Sequence, residues 1–167
     1  DFLEVKPYAI EIHPGKSQRN NIKVFSKAIK RLYDAYKNRY NEKVLIFIEN
    51  RTRQYIQDGE DINDFWMLFK NRYPNLTGNV GIILDIQQLY TVTQDNFISE
   101  FEKIPQDSLF GLHIHTRHRT PSIDDKIPWK FISTNLKQNR LFHILPEFIV
   151  SRILKKTYLF CKETLNF

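Results

Sequence analysis

The chain has 167 residues, 41% of them apolar and 14% aromatic, enough for one domain with a substantial core and too many for a disordered chain. Its formal charge of +6 suits a phosphate-bearing partner without requiring one, and the single cysteine, Cys161, excludes an internal disulfide and fits a reducing, cytoplasmic setting. No apolar run approaches the ~18 residues of a membrane helix, and no signal peptide is expected.

Tyr8–His13 reads as the first strand, stopped by Pro14 and Gly15, and the turn through Lys16 offers backbone amides to an anion. From Asn21 to Tyr36, Ile22, Phe25, Ile29, Leu32, Tyr33 and Tyr36 recur at helical spacing, with lysines and arginines opposite as a solvated face. Lys43–Glu49 is the second strand. Its apolar residues serve both faces, the pattern of a strand covered on both sides in a parallel sheet. A polar loop with Arg51 and Arg53 follows. Asp61 then caps a helix to about Tyr73, with Phe65, Leu68 and Phe69 inward.

Val80–Asp85 repeats the buried strand, and Thr93 is positioned to cap a helix that turns Phe97, Phe101 and Ile104 inward. Leu109–His113 is the fourth strand, and a basic loop over residues 116–121 leads to a short helix opened by Pro128 and Trp129 and running to about Leu136. Leu141–Glu147 is the fifth strand, and Ile149–Leu165 the last helix, with Cys161 as a buried or half-buried thiol.

Every strand therefore ends in a residue that can bind a metal or move a proton: His13, Glu49, Asp85, His113 and Glu147. The intervals of 36, 36, 28 and 34 residues each fit one strand–helix unit with its loops. The expected fold is α/β, a parallel (β/α) barrel of TIM type. It is partial: about five strand–helix units in one domain over residues 1–167. No Gly-x-Gly-x-x-Gly follows a strand, so a dinucleotide site lacks its fingerprint.

At the mouth of such a sheet, Glu49, Asp85, His113 and Glu147 would repel one another unless a cation lay between them. Three carboxylates and an imidazole suit Mn²⁺, Mg²⁺, Co²⁺ or Zn²⁺. His115 shares the strand face of His113, so either imidazole can be the ligand, the other standing behind it. His118 is expected to be exposed and His143 to be a hydrogen-bonded core histidine.

The ordered set His13-Pro14-Gly15, Glu49-Asn50, Leu84-Asp85, the histidine pair 113/115 and Pro146-Glu147 resembles the xylose-isomerase-like TIM-barrel superfamily. That superfamily includes the sugar isomerases and epimerases, endonuclease IV and UV damage endonuclease. The resemblance spans almost the whole chain, as the last five of eight barrel units. It implies that Glu49, Asp85, His113 and Glu147 hold a divalent metal and that His13 binds a neighbouring one in the nucleases. It further implies that Glu49 and Glu147 exchange a proton in the epimerases, and that Arg119 contacts substrate.

Endonuclease IV carries a histidine where this chain has Gln88, and an Asp-x-His motif near Asp124 and Asp125, where histidine is absent. One metal suffices for an epimerase, so the first expectation is a metal-dependent isomerase or epimerase of a small sugar or sugar phosphate. The second is an endonuclease IV-type DNA-repair phosphodiesterase, with Lys16, Arg51, Arg117 and Arg119 on the DNA backbone. The third is a non-catalytic fragment or subunit. Gln88 and His115 complete the expected substrate-facing set. Five units cannot close an eight-stranded barrel, so open edges are expected to be covered by upstream residues or by a second copy.

Overall fold

Alternating buried strands and amphipathic helices have one economical arrangement, a parallel sheet with its helices outside. The computed structural model describes residues 6–16, 22–117, 119–136, 142–146 and 151–165. It shows β1 (Ala9–Ile12), α1 (Ile22–Tyr40), β2 (Leu45–Glu49), α2 (Gly59–Arg72), β3 (Val80–Asp85), α3 (Ile86–Thr93), α4 (Phe97–Lys103), β4 (Leu109–Ile114), α5 (Trp129–Asn135), β5 (His143–Pro146) and α6 (Ser151–Thr164). The strands lie in the order β1-β2-β3-β4-β5, and all four pairings are parallel. The fold is thus α/β with a five-stranded parallel half-barrel. The expected chain positions Asn21, His118, Leu141, Glu147 and Ile149 lie outside the described residues.

The sheet is strongly curled. Strands stand about 4.8 Å apart, so a flat sheet would separate β1 from β5 by roughly 19 Å. Yet the ring of Tyr8, just before β1, lies 6.3 Å from the ring of His143 on β5, and Phe47 of β2 lies 4.9 Å from that same ring. The concave face holds a small apolar cluster of Leu45, Phe47, Ile83 and Phe110 with Ala9 and Leu145. The convex face carries the main core, where Ile46, Ile48, Ile82, Leu84, Leu112 and Ile114 meet helix residues such as Ile29, Phe65, Phe69 and Phe101. Burying each such aliphatic side chain contributes roughly 1.5–3 kcal/mol.

Two helix starts differ from the sequence expectation. Asp58, not Asp61, caps α2: its carboxylate accepts the Asp61 amide at 3.0 Å, while Asp61 reaches back to the Gln57 amide at 3.2 Å. Thr93 ends α3 instead of capping α4, because its hydroxyl donates to the Leu89 carbonyl at 2.8 Å. The helix α3 was not expected at all. It begins directly after β3 because the Asp85 carboxylate accepts the Gln88 amide at 2.8 Å. Trp66 is also buried beside Phe65 and Phe69, with its Nε1 donating to Asp107 at 3.0 Å.

The register sets what lies at the rim. Ile12 pairs with Ile48 and Asp85 with His113, so His13 falls beside Glu49 and the Asp85 and His113 backbones are neighbours. A register shift between Ile82 and Ile83 lets Phe110 turn inward over Gly81, where a Cβ would collide with the Phe110 ring. Asn50 then lashes two strand ends together. Its Oδ1 accepts the Asp85 amide at 2.7 Å and its Nδ2 donates to the Asp85 carbonyl at 3.2 Å.

Candidate metal centre

Strand alternation puts Glu11 and His13 on the concave face of β1, Glu49 on that of β2 and His113 on that of β4. The curl brings them together. One ligand atom each from Glu11, Glu49 and His113 lie within 4.8 Å of one another, so this group can hold a metal ion. Glu49 and His113 are buried, at 2% and 6% exposure, and Glu11 stands at the exposed side. His113 Nε2 lies 3.1 Å from Glu11 Oε2, and His113 Nδ1 lies 3.8 Å from Glu49 Oε2.

The electrostatics are those of crowded, mutually dependent charges. Burial pushes the Glu49 carboxyl up from its usual range, with Asp85 and the hydrogen-bonded Glu11 adding to the push and His113 and His13 opposing it. Glu11 moves the other way, held down chiefly by its hydrogen bond to His113 against the effect of burial. The His113 imidazole is disfavoured as a cation by burial, but Glu11, Glu49 and Asp85 together outweigh this and raise it. His113 Nδ1 is buried and finds no hydrogen-bond partner among the described residues. Two carboxylate oxygens and one nitrogen of the His113 imidazole fit a divalent cation, and three protein ligands leave coordination positions for water or substrate.

The other expected ligands occupy a second ring around this group. His13 Nε2 lies 2.8 Å from Glu49 Oε2 and 3.1 Å from Arg51 Nη1, and the same Arg51 nitrogen lies 3.6 Å from Glu49 Oε1. Asp85 is not in the triad. Its two oxygens serve the start of α3 and His115, whose Nε2 lies 3.1 Å away. Gln88 is tied down by its Oε1, which accepts the Thr52 hydroxyl at 2.6 Å and the Thr52 amide at 3.2 Å. Glu147 lies outside the described residues.

Of the expected basic contacts, only Arg51 reaches this group. Lys16 is exposed and bridges to Gln54, whose side chain takes the Gly15 amide at 2.9 Å, so that amide is not open to an anion. Arg119 pairs with Asp125 at 2.6 Å within its own loop. Arg117 and His115 line a cavity beside α3. His143 faces inward as expected, but its buried Nε2 has no hydrogen bond among the described residues, so the expectation of a satisfied histidine is corrected: its neighbours there are the rings of Phe47 and Tyr8. Cys161 is buried, and burial pushes its thiol up to about 11.

Glu11 was missed by sequence reasoning, which looked for acids at strand ends. Its signal was its place two residues before His13, which puts both on one strand face. No protein-family model matches the chain, and no curated protein matches it. Among the described residues no helix is long and apolar enough to cross a membrane.

Proposed function

We propose that this protein is a divalent-metal-dependent enzyme of the xylose-isomerase-like TIM-barrel type, acting as an isomerase or epimerase on a small sugar or sugar phosphate. The observation that carries this reading is the convergence of Glu11, Glu49 and His113 within 4.8 Å at the C-terminal rim of a curled parallel sheet. Catalytic groups of barrel enzymes sit at that rim. When bound, the metal would polarise a substrate carbonyl. Glu49, buried and with its carboxyl raised, is suited to take a proton from the neighbouring carbon. Glu147 is its proposed counterpart for returning a proton. Glu11, Glu49 and His113 would hold the cation, and Asp85 orients His115 beside them.

One observation favours a second reading, metal-dependent phosphodiester cleavage. His13 Nε2 lies 2.8 Å from Glu49 Oε2, itself 3.8 Å from His113 Nδ1, so His13 and Glu49 could hold a second cation beside the triad. The two readings separate on one preparation. With Mn²⁺ present, the first expects exchange of the carbon-bound hydrogen of a ketose phosphate such as ribulose 5-phosphate in D₂O, lost on Glu49→Gln. Cleavage of abasic-site DNA without any such exchange would replace it with the second.

A further inference from the structure

We propose that the cavity between α3 and the loop joining β4 to α5 binds the phosphate group of a phosphorylated sugar. The cavity has a volume of about 410 Å³ and is lined by Gln87, Gln88, Tyr90, His115, Arg117 and Lys126, together with polar residues at the end of α3. Among the described residues no carboxylate lines it. Two cations, several side-chain amides and a phenol make a donor-rich wall, which is what a phosphate oxygen requires.

The cations are available. Among the described residues neither Arg117 nor Lys126 forms an ion pair, whereas the nearby Arg119 is neutralised by Asp125 at 2.6 Å. An adjoining lobe of about 260 Å³ shares Arg117 and Lys126 but includes Asp124 and Asp125, so an anion is directed to the larger, acid-free lobe.

The backbone at Arg117 is held in place, with the side chain exposed. Its φ of 48° lies in the left-handed region, which a non-glycine residue keeps only where its surroundings enforce it. Thr116 and Arg119 exchange two backbone hydrogen bonds of 3.0 Å around it. Asp125 anchors that turn by accepting the Thr116 hydroxyl at 2.9 Å and the Ser122 amide at 2.7 Å.

The cavity adjoins the strand end that carries the metal centre. His115, 2% exposed, lies in its wall and two residues beyond His113, about 7 Å along the strand. Gln88 lies in the same wall and donates its backbone N–H to Asp85 Oδ1. A phosphate held here leaves the sugar's reacting end toward Glu49, an orientation that rests on the metal-enzyme reading above.

Calorimetric titration of the full chain with inorganic phosphate, ribose 5-phosphate and ribose tests this, with Mn²⁺ titrated separately. Ribose 5-phosphate is expected to bind at least tenfold more tightly than ribose. Arg117→Gln and Lys126→Gln should each weaken ribose 5-phosphate about tenfold and leave Mn²⁺ binding and melting temperature unchanged, and Lys126→Arg should restore most of the affinity. Glu49→Gln should remove Mn²⁺ binding and retain inorganic phosphate. Unchanged affinity in both cavity variants would overturn the proposal, as would binding of an abasic oligonucleotide with none of the sugar phosphate. Phosphate binding in a chain that takes no Mn²⁺ would uphold the cavity and overturn the metal reading instead.

Discussion

Glu11 and Glu49 show how one residue type divides its labour by depth. The exposed Glu11 is held ionised by its hydrogen bond to His113, while burial pushes Glu49 the other way. A like-charged pair at a sheet rim is tolerable when one member keeps a proton or a cation replaces it. Asp61 is a similar acid away from the site. Burial, with repulsion from Asp58 and Asp64, raises its carboxyl from 3.8 to about 6. Because the folded value is the higher, the native state holds the proton better. Stability is then lost as pH climbs from about 3.8 through about 6. Asp61→Asn keeps an acceptor for the Gln57 amide, 3.2 Å away, and removes the half-buried charge. It is expected to raise stability at pH 7.5 by on the order of 1 kcal/mol, after loss of a favourable helix-dipole contact, with the gain gone at pH 4 in thermal melts.

At the scale of elements, Asp85 carries two duties that look alike in sequence. A carboxylate after a strand can be a ligand or a helix cap, and here it caps α3 and positions His115. That is why α3 escaped the sequence reading, which spent the aspartate on a metal and left residues 86–92 without a start signal. The β4–β5 pairing imposes a tighter demand. A Cβ on Gly111 would collide with the backbone carbonyl of His143 and with Ile83, and a backbone carbonyl has nowhere to go. Gly111→Ala should cost about 3 kcal/mol, seen as a lowered urea midpoint with an unchanged slope. A melting temperature within a degree of the wild type would mean that β5 docks on β4 in some other register.

For the whole molecule, the triad joins β1, β2 and β4, so a cation there would bind strands that are distant in sequence and would favour the curled sheet over its opened form. Mn²⁺ at a hundred times its dissociation constant should stabilise the chain by about 2.7 kcal/mol in denaturant unfolding, reversed by a chelator. Glu49→Gln should abolish that gain while leaving the metal-free chain as stable as the wild type or more so, because a buried charge is removed. A Glu49→Gln chain that still gains stability from Mn²⁺ would place the ion elsewhere. β1 and β5 are the edge strands of the described sheet, and Leu154, Tyr158 and Leu159 of α6 stand exposed near β5.

The period and polarity of the chain were sufficient for the five strands, most helices and the α/β class, because buried strands and one-sided helices leave local traces in the order of residues. The same traces placed His13, Glu49 and His113 at strand ends on one rim. What local order does not carry is curvature. Glu11 and His113 are 102 positions apart and three strands removed, and only the bend of the sheet brings their side chains to 3.1 Å. The placing of Arg117 and Lys126 in one cavity wall, and the pairing that occupies Arg119, likewise depend on how one loop folds against α3, a choice made by tertiary hydrogen bonds and not by residue type.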